Sequence, residues 1–166
     1  VKRVLQADRV GHAGTLDPLA TGVLPVLINE GTKLSPFLVT DAKEYRATIL
    51  LGMTTDTLDI TGEVLSETLP DVRNEEVIGA IEGLLGVRQQ VPPVYSAVKF
   101  KGKPLYRWAR KGVAITPEAR TIEVHRVEIV DIDLPRVTFT VSCSKGTYIR
   151  SLCADIGETL GCGATL

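Results

Sequence analysis

The stretch RVTFTVSCSKGTYIRSLCADIGETLG, Arg136 to Gly161, changes its period in the middle, and that change decides the fold. From Arg136 to Ser144 apolar and hydroxyl side chains alternate. Val137, Phe139, Val141 and Cys143 share one face, and Thr138, Thr140, Ser142 and Ser144 share the other. Period two is the signature of a strand with one buried face. After Lys145-Gly146, apolar residues fall at Ile149, Leu152, Cys153, Ile156 and Leu160, a single stripe of a helix. Thr147 reads as its N-cap and Gly161 as the residue just past its last turn.

Working outward, Thr121–Ile129 alternates Ile122, Val124, Val127 and Ile129, with a slip near His125-Arg126 that reads as a bulge. Lys43–Leu51 puts Tyr45, Ala47, Ile49 and Leu51 on one strand face. Between these strands, Asp71 or Asn74 caps an expected helix through Leu85, with Val77, Ile78, Ile81 and Leu84 or Leu85 turned inward. Val87–Val91 reads as a strand stopped by Pro92-Pro93. Lys101-Gly102 reads as a turn, and Leu105–Lys111 as a short basic helix ended by Gly112. Near the start, Val23–Ile28 reads as a buried strand, with Pro25 leaving its edge in doubt, and Thr32–Leu38 as a short helix. Gly52–Gly62 reads as a polar loop. Strands, helix, strands, helix in that order argue for an α+β fold with a mixed, mainly antiparallel sheet and flanking helices.

The 166 residues, 44% of them hydrophobic, suffice for one domain with a buried core. No apolar run is long enough to span a membrane, and no secretory leader is visible. Cys143, Cys153 and Cys162 are odd in number and widely spaced, so they read as reduced thiols of a cytoplasmic protein. With His12 and His125 they make no metal-ligand spacing. The net charge of −1 conceals a segregation. Asp56–Glu82 holds eight acids against Arg73 alone. Lys99–Lys111 holds six bases, no acid, and both Tyr106 and Trp108. Bases interleaved with aromatics can contact phosphates and stack on nucleobases, though such a run also serves as a plain solvated face with Trp108 packed inward.

The densest local signal is Gly11-His12-Ala13-Gly14-Thr15-Leu16-Asp17-Pro18-Leu19-Ala20-Thr21-Gly22. Its glycines allow close backbone approach to a ligand, and Pro18 pushes Asp17 toward an extended conformation. A carboxylate held on such a loop is a candidate nucleophile or base, or else a turn cap. The string closely resembles the catalytic loop of the TruB family of tRNA pseudouridine synthases. Four further segments resemble that family's motifs, in its order: Lys43-Glu44-Tyr45-Arg46-Ala47, Leu51–Asp59, Val91–Lys99 and Ser144–Leu152.

The resemblance implies conversion of uridine to pseudouridine in the T-loop of tRNA, at tRNA position 55, with no metal or organic cofactor. Asp17 is implied as the nucleophile, adding to ribose C1′ or to C6 of the base. Arg150 is implied as its cationic partner and Tyr45 as the ring against the target base. Arg150 lies one residue off the helix's apolar stripe, so it is expected to project from the core edge into a cleft. His12 is implied to insert into the T-loop and hold the target nucleotide out of its stack. Asp56 is implied to face the pocket or, equally, to cap a turn. Tyr148 lines the pocket or packs. Lys99, Lys101, Arg107 and Arg110 belong to the expected tRNA-facing surface. A monomer is expected. The family's Lys-Pro-x-Gly-x-Thr-Ser segment would precede Val1 and its C-terminal RNA-binding domain would follow Leu166, so residues 1–166 are expected to be the central part of a catalytic domain. Two other readings stand beside this one: an RNA-guided synthase of a ribonucleoprotein, and a non-catalytic RNA-binding or tRNA-folding module.

Overall fold

Alternation along the chain is converted directly into a sheet. The structure is a computed structural model that describes residues 1–38 and 42–166. It divides into two compact units, Val1–Ala42 and Lys43–Leu166.

In the first unit β1 (Val10–His12) pairs antiparallel with β2 (Val26–Ile28), with Gly11 opposite Leu27. A 3-10 turn over Asn29–Leu34 runs into the single helical turn α1 (Ser35–Leu38). The helix read from Thr32 is therefore 3-10 in its first three residues and α-helical only from Ser35 to Leu38. The buried strand read over Val23–Ile28 is corrected on two counts. Pro25 lacks an amide to donate, so only Val26–Ile28 pairs, and Val23, Val26 and Ile28 are exposed.

The second unit opens with β3 (Lys43–Leu51), followed by β4 (Met53–Thr55) and β5 (Val64–Glu67). Then come α2 (Asn74–Glu82), β6 (Gly86–Gln90), the hairpin β7 (Lys99–Phe100) and β8 (Lys103–Pro104), and α3 (Leu105–Ala109). The long β9 (Arg120–Asp133), β10 (Arg136–Cys143), α4 (Ile149–Thr159) and β11 (Ala164–Thr165) complete it. The main sheet has five strands in the order β11-β3-β10-β9-β6, and each described pairing is antiparallel.

The expected faces hold. Val137, Phe139, Val141 and Cys143 from β10 and Ala47, Ile49 and Leu51 from β3 are buried. They form one core with Leu152, Cys153 and Ile156 of α4 and Val77 and Ile81 of α2. The slip expected near His125 is a register shift: Ser142 pairs with Arg126 but Cys143 pairs with Val124, leaving His125 as the extra residue. At Lys101-Gly102 both φ values are positive, 48° and 78°, which suits a two-residue hairpin turn.

Three local expectations are corrected. Neither Asp71 nor Asn74 caps α2. The cap position is Arg73, whose backbone N–H donates to Glu76 Oε2 at 2.8 Å. Thr147 does not cap α4, because its hydroxyl donates to the Ser144 carbonyl at 2.8 Å and Tyr148 holds the cap position. The Gly52–Gly62 loop contains β4, paired to β5.

Candidate active site

Arg150 lies in the first turn of α4 and is 5% exposed. A buried guanidinium needs acceptors, since desolvating a charge without them is expensive. Its Nη1 donates to the Thr57 carbonyl at 2.9 Å and its Nη2 to the Tyr95 carbonyl at 3.0 Å. Asp59 Oδ2 stands 3.8 Å from Nη1. Two loops distant in sequence thus meet on one side chain.

The loop after β4 is built to present those acceptors. Thr55 Oγ1 donates to the Asp59 carbonyl at 2.8 Å, and the Asp59 carboxylate accepts from Thr57 Oγ1 at 3.0 Å and from the Thr61 N–H at 3.0 Å. Gly62 is required for space, as a Cβ there would stand 2.3 Å from Thr57 Oγ1. The chain's last residue pins the turn from the other side: Ile60 N–H donates to the Leu166 carbonyl at 2.9 Å and Leu166 N–H to that of Leu58 at 3.1 Å. Burial alone would raise the Asp59 pKa. Bonds from Thr61 and Thr57, and the Arg150 charge, outweigh it and hold the carboxyl below its ordinary value.

Asp56 is a turn acceptor. Its Oδ1 takes the Glu63 N–H at 2.8 Å. It also takes the Tyr95 phenol, and that bond, with partial burial and the Asp56 and Glu63 charges, raises the Tyr95 pKa against the opposing pull of Arg110. Arg110 therefore brings the basic segment within electrostatic reach of Tyr95. Tyr45 lies on β3 opposite Val141, half-buried at the rim of the core. Tyr148 is half-buried, and its backbone is clamped by the buried Gln90 side chain.

The four cations expected on the RNA-facing surface, Lys99, Lys101, Arg107 and Arg110, are all exposed. The aromatics of this segment are shared between packing and display. Trp108 is half-buried, stacks edge-on to Phe100 at 6.2 Å between ring centroids, and donates Nε1 to the Phe100 carbonyl at 3.2 Å. Lys103 lies 5.6 Å over the Trp108 ring, and Arg110 5.4 Å over Tyr106. Lys103, Arg107, Trp108, Arg110 and Lys111 line one shallow hollow.

Asp17 and His12 belong to the first unit. Asp17 sits on the loop between β1 and β2, where its carbonyl accepts the Ala20 N–H at 2.9 Å and closes a turn. His12 ends β1, and its Nδ1 bonds the Gly14 carbonyl. Among the described residues no group of three or more His, Cys, Asp or Glu side chains could hold a metal ion. No helix among them is long and apolar enough to cross a membrane. Reading the sequence did not single out Asp59, Tyr95 or Gln90. Asp59 shares a Thr- and Asp-rich loop with Asp56, and only the fold shows which carboxylate turns toward Arg150.

Comparison with known proteins agrees with this architecture. Over 166 residues the chain is 58% identical to the tRNA pseudouridine synthase B of Syntrophus aciditrophicus, covering all of this chain and 53% of that protein. It is 48% identical over 167 residues to the tRNA pseudouridine synthase B of Clostridium tetani, covering 58% of it. The chain thus spans little more than half the length of these curated relatives. Among solved structures it resembles a chain in the crystal structure of a Cbf5-Nop10-Gar1 complex, with a TM-score of 0.73 and 32% identity over 99% of this chain and 40% of that one. A chain in the structure of an H/ACA RNP bound to a substrate RNA containing 2′-deoxyuridine gives 0.68 and 28%, over 99% and 38%. The family model for the N-terminal domain of the TruB family pseudouridylate synthases matches residues 2–149, and the chain belongs to that family.

Proposed function

We propose that the chain carries the catalytic residues of a tRNA pseudouridine synthase acting on the uridine at position 55 in the T-loop. The observation that carries this reading is the Arg150 guanidinium, which lies in the Ser144–Leu152 segment that resembles a family motif and is held, buried, by the main-chain carbonyls of Thr57 and Tyr95. In this reading Arg150 supplies the fixed positive charge that keeps Asp17 ionised and directs it. Asp17 adds to ribose C1′ or to C6 of the base. The N1–C1′ bond breaks, the uracil turns, a C5–C1′ bond forms, and the bond to Asp17 is cleaved, returning its carboxylate. The C5 proton is lost to solvent and N1 regains one, so the reaction is a redox-neutral isomerisation that needs no metal or organic cofactor. Tyr45 packs against the base, and Tyr148 and Asp56 help to line the pocket. His12 holds the nucleotide out of the helical stack, without which no side chain reaches it. Lys99, Lys101, Arg107 and Arg110 meet the T-arm phosphates. The protein acts as a cytoplasmic monomer.

The similarity to a chain of the H/ACA RNP bound to a substrate RNA favours a second reading, an RNA-guided synthase of a ribonucleoprotein. The 58% identity to a tRNA pseudouridine synthase B weighs against it. One assay separates the readings. A tRNA transcript tritiated at C5 of uridine is incubated with the chain, or with the chain completed to its relatives' length, without metal or guide RNA. Release by the wild type and none by Asp17→Asn is expected. Release by Asp17→Asn would remove Asp17 as nucleophile, and no release in either form would remove the stand-alone synthase. Retained RNA binding by both without release would favour the non-catalytic module.

A further inference from the structure

We propose that Gln90 is a positioning residue for the reaction: it sets the start of α4 and thereby the placement of Arg150 and Tyr148. The inference rests on the synthase reading above.

Gln90 ends β6, where the ladder to β9 closes at Arg120, and it is 3% exposed. Its Nε2 donates to the Tyr148 carbonyl at 3.0 Å and its Oε1 accepts the Tyr148 N–H at 2.7 Å. Tyr148 is still extended, at φ −100° and ψ 112°, and α4 begins at the next residue. The side-chain amide therefore grips both polar groups of one residue, as a neighbouring strand would. The next residue of the same strand end adds a second tie, because Ser151 Oγ donates to the Val91 carbonyl at 3.1 Å. Arg150 lies between these two fixed points.

Simple satisfaction of buried polar groups accounts for the bond to the Tyr148 N–H but not for the one to its carbonyl. The Tyr148 carbonyl already accepts the Leu152 N–H at 3.1 Å as part of the helix, so Gln90 is a second donor to it. The helix has no cap from its own segment, Thr147 having turned to Ser144. Orientation of the α4 start is supplied from β6. Glutamine suits the task because one planar amide carries a donor and an acceptor at peptide-like spacing.

The test uses Gln90→Glu, which is isosteric and loses the donor, and Gln90→Met, which is close in volume and loses both groups. Single-turnover tritium release at saturating tRNA, tRNA affinity and amide hydrogen exchange across residues 148–152 are measured. Release is expected to fall about tenfold in Gln90→Glu and about 100-fold in Gln90→Met, because an ångström of displacement away from the chemistry costs that much. Affinity should stay within about threefold, since the residue is buried away from bulk contacts. Exchange across 148–152 should accelerate in variants that remain folded. An unchanged rate in a folded variant, unchanged protection, or loss of folding in both variants would overturn the proposal. If the wild type forms no pseudouridine, the synthase reading fails on its own. The exchange comparison then still decides whether Gln90 sets the α4 start.

Discussion

The guanidinium of Arg150 donates from two different nitrogens to carbonyls on separate segments, at 2.9 Å to Thr57 and 3.0 Å to Tyr95. A lysine keeps the charge but presents a point donor on a flexible stem and cannot reach both. Arg150→Lys should therefore slow single-turnover release by about 100-fold, in line with misplaced catalytic geometry. It should also cost about 1–3 kcal/mol in urea unfolding, because a buried carbonyl loses its donor. A wild-type rate in Arg150→Lys would show that charge alone suffices. Burial also changes what alanine would report: Arg150→Ala removes a structural tie along with the charge proposed to act on Asp17, so its activity loss is interpretable only beside its unfolding curve. The second residue here is Asp59. Its folded pKa lies below the unfolded value of about 3.9, so the stabilisation it brings is present above that pH and is lost as pH falls through the folded value. Asp59→Asn should accordingly be less stable than wild type at pH 7, and the two should converge as pH drops below about 4. A gap that stays constant across that range, measured by urea unfolding, would assign the effect to packing rather than charge.

Elements were legible where one periodicity ran uninterrupted. The strand Lys43–Leu51 matches its reading residue for residue, and Arg136–Cys143 does so within one. In each, alternation across one buried face leaves a single register. Sequence failed at ends and short pairings. Thr147 has the right chemistry for a cap and the wrong neighbour in space, and β4 lasts only three residues, too few to show a period. Close approach was equally hidden. Gly157 looks like any weak helix position, but a Cβ on it would stand 2.2 Å from the Ala164 amide nitrogen, where α4 returns onto β11. Gly79 in α2 has nothing within 4 Å of the same position. Opposite outcomes follow for one chemical change. Gly157→Ala should destabilise by about 3 kcal/mol, because backbone must move to admit a methyl. Gly79→Ala should stabilise by about 0.5–1 kcal/mol through helix propensity. Denaturant midpoints of the two variants check this, and equal shifts of either sign would contradict the packing of α4 on β11.

On the scale of the whole molecule, the net charge of −1 offers no attraction for RNA, and the distribution has to provide it. The run of bases from Lys99 to Lys111 was visible in the sequence. What the fold adds is its display: a hairpin and a helical turn whose cations stay exposed, while Phe100 and Trp108 pack edge to face and give the segment a body. Lys101 and Lys103 ride over those rings and Arg110 over Tyr106, so their positions are biased before any ligand arrives. Preset cations are the arrangement expected for a phosphate-contacting surface, since binding a polyanion to them releases counterions. Neutralising Lys101, Lys103, Arg107 and Arg110 together to Gln should weaken tRNA binding and flatten its dependence on salt. Each lost phosphate contact lowers the slope of log affinity against log salt by about one. Asp17→Asn, which leaves this segment untouched, should keep the wild-type slope while abolishing release. Fluorescence anisotropy with a labelled tRNA over a salt series separates the two effects. An unchanged slope in the quadruple variant would reduce the basic segment to a solvated face and move the RNA contact elsewhere on the protein.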